Sequence, residues 1–254
     1  SGHAAQILAL FPLMEPGDEV VAATKLYGGS INQFKHAIKR FGWNAKFVDP
    51  EDARNFKQAV TPRTRAIFIE SLANPGGLVM DIAAIAAVAK EAGVPLIVDN
   101  TLATPYLCRP FDWGADIIVH STTKFLSGNG TAIGGVVIDS GKFDWKKSGK
   151  YPALSKPAPE YHGVTFAETF GDLAYTIYGH AIGLRDLGPC QSPMNAFVTL
   201  SGIETLPLRM ERHCANALKV AQHLEQHKAV SWVSYAGLRK HPHHELAMKY
   251  LPKG

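Results

Sequence analysis

Apolar runs and amphipathic stretches alternate along most of the chain. SGHAAQILALFPLM predicts a helix with Ser1 at its N-cap. EPGDEVVAA predicts a turn followed by a strand. GGSINQFKHAIKRFG carries Ile31, Phe34 and Ile38 at helical spacing and predicts one amphipathic helix closed by Gly42. NAKFVD and RTRAIFIES predict strands, and DIAAIAAVAKEAG an alanine-rich helix ending at Gly93. PLIVDN, ADIIVHS and AIGGVVID predict three more strands. Continuous apolar strands separated by helices imply an α/β fold, with a mainly parallel sheet covered on both faces. Ligands of such sheets bind beyond the carboxyl ends of the strands.

The pattern loosens at about 140–190, a stretch rich in Pro, Gly and aromatic residues. It predicts a long ordered excursion, of a kind more often functional than idle. SPMNAFVTLSGIETLPLRMERHCANALKVAQHLEQH then predicts one long helix or two, with a kink or break at Pro207.

Bulk properties narrow the function classes. The 254 residues are 46% hydrophobic and 19% charged, as expected for a globular protein of one or two domains. No run of about 18 apolar residues predicts a membrane span, and no cleavable leader is expected at the start. The formal charge of +4 is spread thinly, without the basic block expected of a nucleic-acid binder. Cys108, Cys190 and Cys214 are odd in number and far apart, which predicts reduced thiols and a cytoplasmic setting. The chain begins without Met and ends on a turn, so a piece of a longer protein is expected.

The candidate chemistry lies at strand ends. PLIVD ends in Asp99, and DIIVH runs into Ser121-Thr122-Thr123-Lys124, with Lys124 25 residues after the acid. A surface charge is the ordinary role of a lysine, but an amine at a strand end can also form a Schiff base with a carbonyl. Ser121 and Thr123 share a side in extended chain and are placed to bind one phosphate. Asp99 is either a turn acid or a partner for a protonated ring nitrogen. Gly2 and His3 open the first helix, either as simple capping residues or as a place where free backbone N–H groups bind phosphate; His3 has no neighbours to make it a metal ligand, and no metal is expected. Tyr27 precedes Gly28-Gly29 and is either a turn residue or a flat surface for an aromatic ring. Asn74-Pro75 is a turn at a strand end.

Taken in order, Gly2-His3, Tyr27-Gly28-Gly29, Asn74-Pro75, Asp99-Asn100-Thr101 and Ser121-Thr122-Thr123-Lys124 resemble the motifs of the Cys/Met-metabolism family of pyridoxal-phosphate enzymes. DNTLATPYLCRPFDWGADIIVHSTTKF, GGVVIDSGKFDW and QSPMNAFVTLSGIETLPLRMERHCANA are most similar to its O-acetylhomoserine sulfhydrylase subgroup. The resemblance implies a type I pyridoxal-phosphate fold, with residues 1–205 as the cofactor-binding large domain. Residues 206–254 would be a linking helix and the start of a further domain.

It also implies roles. Lys124 would hold the cofactor as a Schiff base and shuttle protons, Asp99 would pair with the pyridine nitrogen, and Tyr27 would stack on the ring and count with Lys124 as catalytic. Gly2, His3, Ser121 and Thr123 would hold the phosphate. Asn74 would sit near the phenolic oxygen, and Thr101 belongs to the same cofactor-binding set. The implied reaction is γ-replacement on O-acetylhomoserine with sulfide or methanethiol, giving homocysteine or methionine plus acetate. A homo-oligomer, a dimer of dimers, is implied as the assembly.

Two departures from the pattern stand out. Asn129 lies where the subgroup usually has histidine. The family's tyrosine–arginine pair would precede Ser1, and its substrate-carboxylate serine and arginine would follow Gly254, so this chain alone is expected to be a poor catalyst. The rival readings are a carbon–sulfur lyase of the same family, a nucleotide-binding oxidoreductase suggested weakly by the glycines of GNGTAIGG, and a non-catalytic truncated chain.

Overall fold

Six strands form one sheet in the computed structural model, which describes residues 1–254. They are β1 (Glu19–Ala23), β2 (Asn44–Val48), β3 (Thr64–Glu70), β4 (Leu96–Asp99), β5 (Ile117–His120) and β6 (Val136–Asp139). The spatial order is β2-β1-β3-β4-β5-β6. β1 to β5 are parallel, and β6 runs antiparallel to β5. The strands read as unbroken apolar runs, β1, β4 and β5, are buried along their whole length. That is the pattern of strands covered on both faces.

Helix α1 (Gly2–Leu10) starts at Ser1, whose hydroxyl accepts the Ala4 N–H at 3.2 Å. The helix predicted up to Gly42 is real but irregular. An ordinary turn, α2 (Gly28–Asn32), widens over Gln33–Ala37 and tightens over Ile38–Phe41 before Gly42, whose φ of 77° ends it. Phe34 and Ile38 are fully buried, whereas Ile31 is only half-buried. Helix α3 (Ala53–Ala59), capped by Asp52, was not expected; it buries Phe56 alone and so shows little periodicity. Helix α4 (Ile82–Ala92) is capped by Asp81 and closed by Gly93 at φ 63°, and it buries Ile82, Ile85 and Ala89.

The 140–190 excursion is ordered and made of short helical turns; its aromatic part packs against the body, and Tyr175, Gly179, His180 and Leu184 line a second cavity. Trp145, Tyr151, Phe166, Tyr175 and Tyr178 are all buried. Trp145 stacks on Tyr175 with centroids 5.3 Å apart. Tyr151 donates its hydroxyl to the Arg65 carbonyl (2.9 Å), and Tyr175 donates to that of Ala9 (2.8 Å). These aromatic side chains therefore serve packing, with the hydroxyls of Tyr151 and Tyr175 bonded to the sheet and to α1 and that of Tyr178 to Glu160.

Beyond it, helices Pro193–Glu204 and Leu206–Glu225 meet at Thr205, so the break lies just before Pro207. Residues 244–250 form a last short helix whose Tyr250 packs edge-on against Trp113 and hydrogen-bonds Asp81. No helix is long and apolar enough to cross a membrane.

Candidate functional site

Parallel pairing brings the carboxyl ends of β1, β3, β4 and β5 to one edge of the sheet, and a cavity of about 660 Å³ opens there. The start of α1 contributes Gly2 and His3, and the segment after β1 contributes Tyr27. Asn74 follows β3, Asp99 ends β4 with Thr101 just beyond it, and Ser121, Thr123 and Lys124 follow β5. Every residue singled out at the strand ends and at the first helix therefore faces one space.

Close approaches explain the glycines. A Cβ on Gly2 would lie 2.6 Å from Ser121 Cβ, so only glycine lets the start of α1 rest against the segment leading to Lys124. With Ser1 capping, the first amides of this helix have no intrahelical partner. A Cβ on Gly29 would lie 2.5 Å from His3 Cε1 and 2.6 Å from Tyr27 Cε1. Those two rings lie 26° from parallel with centroids 5.8 Å apart. The glycines of GNGTAIGG serve similar purposes: Gly134 presses on Thr122 and Gly135 on the Ser1 carbonyl, with no strand-to-helix turn around them. The nucleotide-binding reading has no support in this geometry.

Asp99 is buried and forms no ion pair. Its Oδ1 accepts the Thr101 N–H (2.9 Å) and its Oδ2 accepts Gln6 Nε2 (3.2 Å). Burial pushes its proton affinity above the ordinary carboxylate range, against the opposing pull of hydrogen bonds from Thr101 and Gln6 and the charge of His3. Thr101 Oγ1 accepts the Ser121 N–H at 2.7 Å, tying the end of β4 to the end of β5. Thr123 uses its hydroxyl on the Gly134 backbone, accepting the N–H at 3.1 Å. Lys124 is exposed to the cavity. Asn129 is exposed and stands outside the lining, between Gly128 and Gly130, which belong to it.

This donor set fits pyridoxal phosphate. A buried carboxylate without a counter-charge suits a protonated ring nitrogen. The amides of Gly2 and His3 and the Ser121 hydroxyl suit a phosphate. The His3 ring also holds a buried nitrogen, Nε2, without a partner. No three His, Cys, Asp or Glu side chains are grouped to hold a metal ion.

Sequence reasoning missed several lining residues, among them Gln6, Ser30, Glu70, Phe125 and His213. Glu70 carried the same signal as Asp99, an apolar strand ending in a carboxylate. Gln6 sits one helical turn after Gly2 and was discoverable from α1. His213 comes from the helix Leu206–Glu225 and has no local signal. It meets Phe125 with ring centroids 5.3 Å apart. Arg209, one turn earlier, donates to the Phe125 carbonyl at 2.8 Å and fixes the segment after Lys124.

Comparison with known proteins gives the family. The family model described as "Cys/Met metabolism PLP-dependent enzyme" matches residues 1–254. The chain is 47% identical to the O-acetyl-L-homoserine sulfhydrylase of Leptospira meyeri, covering all of this chain and 59% of that protein. It is 49% identical to the homocysteine/cysteine synthase of Saccharomyces cerevisiae, covering all of this chain and 58% of that protein. The chain thus spans about three fifths of the length of these relatives.

A structure from Campylobacter jejuni, described as an O-acetylhomoserine (thiol)-lyase holding N′-pyridoxyl-lysine-5′-monophosphate, superposes with a TM-score of 0.95 at 39% identity. It is covered to 62%, with 99% of this chain matched. The O-acetylhomoserine sulfhydrylase of Wolinella succinogenes superposes with a TM-score of 0.88 at 35% identity, over 99% of this chain and 68% of that one. The fold is that of these pyridoxal-phosphate enzymes, and the chain belongs to the Cys/Met-metabolism family of pyridoxal-phosphate-dependent enzymes.

Proposed function

We propose that this chain carries the cofactor site of an enzyme that replaces the γ-acetoxy group of O-acetyl-L-homoserine with sulfide or methanethiol, giving homocysteine or methionine plus acetate. The names of its relatives support this substrate class. The observation that carries it is the opening of Lys124 and Asp99 into one cavity of about 660 Å³.

Pyridoxal phosphate, when bound, supplies an electron sink for charge developing at the substrate α-carbon. Lys124 Nζ would hold the cofactor through its aldehyde and, as an amine, would be the base for the substrate α-proton. Asp99 would pair with the ring nitrogen and keep it protonated. Tyr27 would give a flat face to the ring. The backbone of Gly2 and His3, with the Ser121 hydroxyl, would hold the phosphate; Thr123, its hydroxyl engaged by the Gly134 backbone, would have to exchange that bond to join them. Thr101 orients Asp99 through its own N–H, and Asn74 would be a partner for the cofactor's phenolic oxygen.

The same reading includes a cytoplasmic homotetramer with residues 1–205 as its large domain and 206–254 as the link to a further domain. The exposed apolar face of Pro193–Glu204, with Met194, Phe197 and Leu200 each more than 60% exposed, suits burial against another copy.

Product analysis tests the reaction. Homocysteine plus acetate from O-acetylhomoserine and sulfide supports it. A keto acid and ammonia released from cystathionine or methionine, without γ-replacement, would establish a carbon–sulfur lyase in its place.

A further inference from the structure

Glu70 ends β3 as Asp99 ends β4, and the two are register partners across these strands. Glu70 is 6% exposed and forms no ion pair. Its Oε1 accepts the Tyr27 N–H at 2.7 Å, and its Oε2 accepts the Asn74 N–H at 2.9 Å. These amides belong to separate loops, one after β1 and one after β3, and both loops line the cavity. A buried carboxylate with both oxygens spent on backbone N–H groups contributes no hydrogen bond to the core around it. It contributes a fixed distance between two walls.

We propose that Glu70 is a positioning residue whose single carboxylate straps the Tyr27 loop and the Asn74 loop to the sheet edge, setting the slot that receives the cofactor ring. The inference rests on the reading of this cavity as a pyridoxal-phosphate site. Two N–H donors on two oxygens require the ionised side chain. A protonated carboxyl turns one oxygen into a donor, and a glutamine presents an NH2 to one of the amides. Either change breaks one end of the strap.

The strap is therefore sensitive to pH. Tyr27 and Asp99 stand beside Glu70, and His3 and Lys124 line the same cavity. Burial pushes the Glu70 carboxyl up to about 7; the two N–H bonds pull it down, and the charge of Asp99 adds to the rise. Above that value both loops are held; below it one is released.

The test compares pyridoxal-phosphate affinity of the 254-residue protein with that of Glu70→Gln and Glu70→Ala between pH 6 and 8.5, with circular dichroism as the folding control. The loss of one or two charge-assisted hydrogen bonds predicts affinity about 10-fold or more weaker in both variants at pH 8. The gap between wild type and Glu70→Gln should close towards pH 6. Affinity of Glu70→Gln within about 2-fold of wild type at pH 8, or the same gap at every pH, would overturn the strap.

A second measurement needs no mutation. In wild type, the amide resonances of Tyr27 and Asn74 should titrate with one shared midpoint near neutrality, and two amides without a common midpoint would also overturn it. Failure of wild type to bind pyridoxal phosphate at all is a different result, and it overturns the reading of the cavity.

Discussion

Gln6 Nε2 donates to Asp99 Oδ2 at 3.2 Å and to Ser30 Oγ at 2.9 Å, so one amide on the first helix joins the buried acid of β4 to the helix after Tyr27. The same helix brings Gly2 against Ser121. Three chain segments far apart in sequence are thus fixed around one carboxylate that has no counter-charge.

Asp99→Asn removes the charge and keeps the shape. A ring nitrogen facing an amide is no longer held protonated, so turnover should fall by about 100-fold or more. Cofactor affinity should fall by about 10-fold, the worth of a charge-assisted hydrogen bond. Steady-state kinetics and a cofactor titration check the two effects separately, and circular dichroism checks folding, because the new NH2 meets either the Thr101 N–H or Gln6 Nε2.

Gly29→Ala tests the fit between His3 and Tyr27. The new methyl would sit 2.5 Å from His3 Cε1, well inside van der Waals contact, so the two rings must separate. Overpacking of this kind destabilises by about 1–3 kcal/mol. A melting temperature lower by roughly 2–10 °C is expected, together with weaker cofactor binding. Thermal denaturation and a binding titration measure them.

His120 should make the fold sensitive to acid. It is 2% exposed, its Nδ1 has no partner, and burial holds its pKa down at about 4. The unfolded chain accepts a proton near 6.5 that the folded one refuses, so its contribution is full above that pH and declines as pH falls towards 4. The loss amounts to about 3 kcal/mol. Glu70 acts in the opposite sense: its raised carboxyl stabilises the fold below the unfolded value of 4.5, and that contribution is lost as pH rises through about 7. Urea titrations of wild type and His120→Met at matched pH isolate the histidine; the variant should lack the decline between 6.5 and 4.

Much of this architecture could be read from the sequence because buried parallel strands are unbroken apolar runs and their polar ends are conspicuous. Asp99 and the Ser121–Lys124 segment were found that way. Glu70 ended its strand with the same mark and was passed over, since nothing local pairs it with Tyr27, 43 residues away. The reversal of β6 was implicit in the absence of a helix between His120 and Val136, because a parallel return needs a long crossover. His213 and Arg209 reach the site only through the packing of a distant helix. In the aromatic stretch at 140–190, composition alone does not separate packing residues from lining ones; Trp145 and Tyr151 are buried, while His180 and Leu184 line a cavity.

The most direct measurement is covalent. Pyridoxal phosphate is added to the protein, reduced with borohydride, and the labelled peptide is identified by mass spectrometry, for wild type and Lys124→Ala. One label on Lys124, absent from the variant together with the visible absorbance of the bound cofactor, is the predicted result. A label on another lysine, or one that survives in Lys124→Ala, would contradict the account.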